Sequence, residues 1–264
     1  MSQAQSKKST NWVSILTIPI SFIVAVSVYV FIFGDPNNFN ADGSPKEGNF
    51  FAIIHEGGVI VPVLMTLFIT VLTVVVERML IISKAKGKGT LESFLQDIKT
   101  KLNSGDIGGA TASCDKQKGS VANVVRAGLG KYNEMLGEHE MEKEQKVLAI
   151  QKEMEEATSL ELPMLEKNLS ILATIASVAT LVGLLGTVIG MIRAFAALAT
   201  AGTPDPAALS SGIYEALINT AIGIGTSAIA IIFYNVFTNM IDKLTYGIDE
   251  IGFSISQTFA AKNK

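Results

Sequence analysis

Five residues with chemistry of their own stand inside two long apolar stretches of the sequence: Thr187 and Arg193 in one, Glu215, Asn219 and Thr220 in the next. An ionisable side chain within a membrane span costs about 2.5–3.5 kcal/mol at the bilayer centre on insertion scales, and less toward an interface. Such residues face protein or water and often mark ion pathways. Folding the chain back near Pro204 brings Glu215 to the depth of Arg193, and Thr220 to the depth of Thr187. Glu215 and Asn219, four apart on a helix, share a face. The hairpin therefore carries a charged level toward its outer end and a hydroxyl level deeper in. Spacing alone leaves two readings open. In one, Arg193 and Glu215 form an ion pair that holds the hairpin while the threonines bond backbone carbonyls. In the other, Glu215, Asn219, Thr187 and Thr220 line a proton pathway.

The elements that must position these residues are marked by small side chains. Ala173, Ala176, Thr180, Gly183, Thr187, Gly190 and Ala194 alternate in steps of three and four, and so line one face of a helix. Gly212, Ala216, Asn219, Gly223, Thr226 and Ala230 repeat the device in the following stretch. Small faces let helix backbones approach closely in lipid, where burial of apolar surface no longer drives association. Gly183, Gly190, Gly212 and Gly223 are accordingly read as packing positions, with a short link around Thr203–Ala207 closing an antiparallel hairpin.

Four blocks reach the roughly 20 apolar residues a helix needs to cross a bilayer: 12–33, 59–82, 169–198 and 213–237. The predicted fold is an all-α integral membrane protein of four transmembrane helices. Lys7 and Lys8 precede the first block, and Arg78, Lys84, Lys86 and Lys88 cluster where the second ends. The intervening loop sets Lys46 against Asp35, Asp42, Glu47 and Glu56. The positive-inside rule then predicts a cytoplasmic N-terminus at 1–11, a periplasmic loop at 34–58 and a cytoplasmic helical domain at 83–168. It goes on to a short periplasmic link at 199–212 and a cytoplasmic C-terminal helix at 238–264. The first block exceeds the length of a signal-peptide core, and no small-x-small cleavage site follows it, so it reads as an uncleaved anchor.

Within 83–168, Leu91, Leu95, Ile98 and Leu102 recur at helical spacing. Gly105, Gly108 and Gly109 are expected to break that pattern, and the charged stretch 134–156 to resume it. Glu142/Lys146 and Lys152/Glu156 stand at i,i+4 spacing there. Pro163 is expected to kink a helix that otherwise enters the third span continuously.

Of the 264 residues 48% are hydrophobic and 17% charged, with a mean hydropathy of +0.40; a soluble domain carries about a quarter charged residues. A net charge of −3 argues for no nucleic-acid partner, and Lys84–Lys88 read as a membrane flank. Cys114 is the one cysteine, and His55 and His139 lie far apart. No disulfide framework, metal site or cofactor is expected, and no nucleophile–base pair suggests an enzyme.

Leu172–Gly190 reads L-A-T-I-A-S-V-A-T-L-V-G-L-L-G-T-V-I-G and resembles the ExbB/TolQ signature around L-A-T-I-A and G-L-x-G-T-V. Glu215-Ala216-Leu217, then Thr220-Ala221-Ile222-Gly223, is similar to that family's E-A-L-x-x-T-A-x-G motif. Together they resemble the MotA/TolQ/ExbB proton channel family, on the ExbB side. The motifs occupy the last two spans, and the resemblance runs from the second span to the fourth.

The resemblance implies a homo-oligomer, a pentamer, surrounding the single transmembrane helices of an ExbD- or TolR-like dimer. An aspartate of that partner carries the proton, the coupling ion. By position Glu215, Thr187 and Thr220 match the family's pore-facing acid and two threonines. Proton flow would drive a rotation or rearrangement passed to a TonB- or TolA-like protein that works on the outer membrane. One charge crossing 100 mV releases about 2.3 kcal/mol, enough for a few protons to bias a packed interface.

The chain departs from the family's pattern in its additional first span and outward loop, and in Arg193. If Arg193 pairs with Glu215, the acid acts as an electrostatic element instead of a proton carrier. Rival expectations are a TolQ-like role in the Tol-Pal system, a MotA-like stator, which lacks an acid matching Glu215, and a non-conducting scaffold. A secondary transporter would need a broken, Gly/Pro-interrupted helix pair that the sequence does not offer.

Overall fold

The computed structural model describes residues 12–41, 43–200 and 206–262; Lys7, Lys8, Asp42, Thr203 and Pro204, used above, lie outside the described residues. Nine α-helices follow in order among the described residues. They are α1 (Trp12–Val28, continued as a wider π-turn over Tyr29–Phe33), α2 (Phe50–His55), α3 (Ile60–Lys86) and α4 (Leu91–Ser104). Then come α5 (Ile107–Gln117), α6 (Ser120–Gly137), α7 (Lys143–Glu166), α8 (Leu169–Thr200) and α9 (Pro206–Lys262). Four helical stretches, ending in or containing α1, α3, α8 and α9, are long and apolar enough to cross a membrane. The chain is an all-α, multi-pass membrane protein. At 57 residues and about 1.5 Å per residue, α9 is roughly 85 Å long, far more than the bilayer core requires.

The chain divides into two compact units. The first comprises residues up to Val76 together with Ser170–Tyr234. Its centre is the α8–α9 hairpin, whose backbones touch. A Cβ added at Gly183 would meet Asn219 O at 3.0 Å, one at Gly190 would meet Gly212 O at 2.6 Å, and one at Gly223 would meet Ala179 O at 2.6 Å. Only glycine allows that approach, which is why the small-residue faces matter here. Gly212, Ala216, Asn219, Gly223, Thr226 and Ala230 are all buried, whereas Thr180 of the preceding stripe is exposed. Of the link expected at 199–212, residues 199–200 belong to α8 and 206–212 already to α9.

The second unit comprises Glu77–Leu169 and the chain from Asn235 onward. Its core is built on amphipathic spacing. Leu91, Phe94, Leu95, Ile98 and Leu102 of α4 are buried, as are Val121, Val124, Val125 and Leu129 of α6. Phe237, Ile241, Leu244, Ile248, Ile251 and Ile255 of α9 form a buried stripe with steps of four and three, the seam of a coiled coil. Phe259 meets Tyr132 edge-on at 4.9 Å. The C-terminal segment is thus part of this bundle and belongs to the same helix as the fourth apolar block.

Local expectations change in three places. Gly105 does end α4, with φ +81, but Gly108 and Gly109 lie in the first turn of α5, whose N-cap Asp106 accepts from Gly109 N at 2.7 Å. The stretch 134–156 is interrupted after Gly137 by a loop, and Glu142 caps α7 instead of bridging to Lys146. Lys146 donates to Glu138 O, while Lys152 and Glu156 stand 3.8 Å apart. Finally, α7 runs through Pro163, and the break comes at Lys167–Asn168, where Asn168 has φ +65. Asparagine tolerates that left-handed conformation, and its Nδ2 donates to Glu77 Oε2 at 2.7 Å.

Candidate functional site

The site lies within the first unit, at two levels of the α8–α9 hairpin. At the outer level Arg193 Nη1 donates to both carboxylate oxygens of Glu215, at 2.7 and 2.8 Å. The partners are unequally placed: the Glu215 side chain is 8% exposed and that of Arg193 54%. At the inner level the Thr187 and Thr220 hydroxyls bond each other directly. One hydroxyl donates in that pair, and the other keeps its proton for a carbonyl in reach: Gly183 O at 3.3 Å from Thr220, or Ala216 O at 3.4 Å from Thr187. Hydroxyl–hydroxyl and hydroxyl–carbonyl bonding coexist there, so the inner level combines features of both readings. Further along, Ser227 donates to Ala176 O.

Asn219 does not face an open lumen within this chain. It is fully buried, its Nδ2 donates to Gly57 O at 2.8 Å, and its Oδ1 has no hydrogen-bond partner among the described residues. Gly186 makes room for it, since a Cβ there would fall 2.4 Å from the Asn219 Cβ. Thr226, two turns along the same face of α9, is likewise buried with an unpartnered hydroxyl. Unpaired buried polar atoms are uncommon in native structures and concentrate where function requires them.

The turn Glu56–Val59, which joins α2 to α3, closes over the charged level. Gly58 sits so near the acid that an added Cβ would meet Glu215 Oε1 at 2.6 Å. Aromatic contacts hold this turn's neighbourhood: His55 stacks on Tyr29 at 4.6 Å, and Phe39 meets it edge-on at 5.5 Å. Tyr29 donates its hydroxyl to His55 O at 3.1 Å. Burial holds the His55 imidazole below its ordinary range and lifts the Glu56 carboxyl above its own. Sequence reasoning passed over Gly57, Gly58 and Tyr29, weighed His55 only as a metal ligand, and read Gly186 only as a letter of the motif. The available signal was a Gly-Gly pair before an apolar run, which marks a turn without saying what the turn touches.

Among the described residues no group of three or more His, Cys, Asp or Glu side chains is arranged to hold a metal ion. The Cys114 thiol is buried and pushed up to about 12 by that burial, so it is no nucleophile. Arg78, read from sequence as a flanking charge, is fully buried in the second unit, where it bonds Glu77, Met164 O and Leu165 O.

A profile of the MotA/TolQ/ExbB proton channel family matches residues 116–250, about half of the chain. The sequence is 36% identical over 118 residues to the Tol-Pal system protein TolQ of Pseudomonas aeruginosa, covering 45% of this chain and 51% of that protein. It is 41% identical over 78 residues to the biopolymer transport protein ExbB of Salmonella typhimurium, covering 29% and 32%. It is 43% identical over 79 residues to the Tol-Pal system protein TolQ of Haemophilus influenzae, covering 30% and 35%. The chain thus spans from about a third to about half the length of these relatives.

Proposed function

The chain belongs to the MotA/TolQ/ExbB proton channel family, and we propose that it is the ExbB-like scaffold subunit of a motor driven by the proton-motive force in the bacterial inner membrane. In this reading a pentamer of the chain surrounds an ExbD-like dimer of one-span helices, with both termini cytoplasmic and the 34–58 loop periplasmic. Protons are the coupling ion and no cofactor is needed. Proton flow past the hairpin drives a rearrangement passed to a TonB-like protein and so to outer-membrane transport. Relatives named ExbB and TolQ match over comparable stretches of 78 and 79 residues, so the Tol-Pal branch, with TolR- and TolA-like partners, is the alternative within the family.

The observation that carries the reading is the hydroxyl pair of Thr187 and Thr220, directly bonded one level below a buried acid. Polar groups so arranged along touching helices supply donors and acceptors where lipid supplies none. The Arg193–Glu215 pair is the resting state in this account. Glu215 takes part in transfer only when the arginine, half uncovered by the rest of the chain, swings away.

A second reading, a non-conducting scaffold in which Arg193 and Glu215 form a permanent clasp, is favoured by the same two short bonds. Proton flux through the complex reconstituted with its co-purifying partner separates the two. Glu215→Ala and Thr220→Val are expected to abolish flux and energised uptake while the oligomer still assembles. Normal uptake in both variants at normal protein levels would leave the scaffold reading standing. Mass spectrometry of the co-purifying chains distinguishes an ExbD- from a TolR-like partner.

A further inference from the structure

The segment before α3 lies outside the stretch the family profile covers, yet it reaches the candidate acid. We infer that the Glu56–Val59 turn, held by the Tyr29–His55 stack, is a positioning element that closes the buried side of Glu215 and keeps its carboxylate on Arg193. The inference rests on the reading of Glu215 as the acid of a proton path, and it assigns a role to the additional first helix and its loop.

Three contacts support it. Gly58, at φ +70, brings bare backbone against the carboxyl: a Cβ there would lie 2.6 Å from Glu215 Oε1, 3.1 Å from its Cδ and 3.5 Å from Arg193 Nη1. Gly57 takes the neighbouring side chain on the same face of α9, its carbonyl accepting from Asn219 Nδ2 at 2.8 Å, and a Cβ on it would meet Ile218 at 3.0 Å. Burying Asn219 with its Oδ1 unpartnered is unfavourable, and the bond to Gly57 O fixes the amide in that arrangement. The turn is in turn anchored outside the hairpin. Tyr29 both stacks on His55 and donates to its carbonyl, Phe33 stacks on Phe51 at 5.4 Å, and Gly34 lets the His55 ring come close.

Glu215 therefore has two walls. One is backbone, fixed by the turn; the other is the side chain of Arg193, which the rest of the chain leaves half uncovered. A carboxylate held this way exchanges protons only on the arginine side. If the turn is displaced, the acid leaves its partner and the second side opens.

Carbodiimide labelling of Glu215 in native membranes, with the modified residue located by mass spectrometry, tests this directly. The reagent reacts with protonated carboxyls that it can reach. Gly58→Ala sets a methyl group against the carboxylate, pushing it off Arg193, and is expected to speed labelling about tenfold, the effect of losing one hydrogen bond to a charged group. Gly48→Ala is the control: that glycine has φ +74, but a Cβ on it meets nothing within 4 Å, so labelling should match the parent protein. Tyr29→Phe keeps the ring and loses the bond to His55 O, with an expected rise of about threefold, the size of a modest hydrogen bond.

Equal labelling in Gly58→Ala and the parent overturns the inference. So does an equal rise in Gly48→Ala, which would assign the effect to a generally loosened loop. If Gly58→Ala does not accumulate in the membrane, Tyr29→Phe decides, and unchanged labelling there overturns it. Labelling is read without flux, so a conducting Glu215→Ala variant would remove the proposed function and leave this result to stand or fall separately.

Discussion

Each compact unit contains one arginine–glutamate pair with a buried partner, and the two pairs are mirror images in exposure. In Glu77–Arg78 the arginine is fully buried and the acid 25% exposed; in Arg193–Glu215 the acid is 8% exposed and the arginine 54%. Arg78 spreads its donors, giving Nε and Nη2 to Glu77 and Nη1 to the carbonyls of Met164 and Leu165. Those carbonyls belong to the last turn of α7, where no intrahelical donor remains. Arg193 instead uses the single nitrogen Nη1 for both oxygens of Glu215. A guanidinium that satisfies helix-end carbonyls is a staple. A guanidinium that holds one buried acid from the solvent side is a latch. The same two residue types serve both, and burial of one partner or the other decides which.

The sharpest way to break this contrast is to delete each arginine. Arg78→Ala leaves the carbonyls of Met164 and Leu165 without their donor, and Glu77 with Asn168 alone, and is expected to cost about 3–5 kcal/mol, as when one partner of a buried pair is removed. Thermal unfolding in detergent measures the loss. Cys114 offers a second measure, because its buried thiol, pushed up to about 12, should react with maleimide only when the second unit opens, and faster in this variant.

Gly223→Ala comes next. Its methyl group would meet Ala179 O at 2.6 Å, so the hairpin must spread, at about 1–3 kcal/mol. The Thr187–Thr220 bond should be lost, with coupled uptake falling while the Arg193–Glu215 pair persists. Cross-linking of cysteines placed on α8 and α9 would register the wider spacing.

Arg193→Ala leaves the buried Glu215 without its donor and is expected to cost about 1–3 kcal/mol, less than Arg78→Ala, while Glu215 becomes far more reactive toward carbodiimide. If it destabilised the protein as much as Arg78→Ala does, the distinction between staple and latch would be gone.

The smallest effect concerns His55. Burial lowers its pKa in the fold, so the folded turn binds fewer protons than the unfolded one. The stability this contributes is present above the unfolded value of about 6.5 and is lost as pH falls through the folded value. Protection of the Gly57 and Gly58 amides, measured as exchange relative to the intrinsic rate at each pH, should therefore fall on acidification below about 6.5 and stay constant in that range in His55→Phe.

Much of the architecture follows from patterns that act within one helix. Apolar run length gives the four membrane-crossing helices, and three–four spacing gives the buried face of α9. Counting back from a hairpin turn sets Arg193 against Glu215 and Thr187 against Thr220, because both helices rise 1.5 Å per residue from a common point. What spacing does not give is any contact between distant segments. Nothing local in Gly57-Gly58 says that Asn219 and Glu215 lie against it, over 150 residues away in sequence. Nothing local in Arg78 separates a membrane flank from a buried cap on α7. The α7–α8 break falls at Asn168 and not at Pro163: α7 tolerates the one hydrogen bond lost at the proline and continues to Glu166, whereas a left-handed residue cannot continue the helix.

The hairpin's touching backbones bear on where water can run. With Gly183, Gly190 and Gly223 pressed against carbonyls and Cα atoms of the facing helix, no water-wide gap exists between α8 and α9 at those levels. The seam is a seal, so a file of water along this hairpin must follow an outer surface of the two helices and not the line between them.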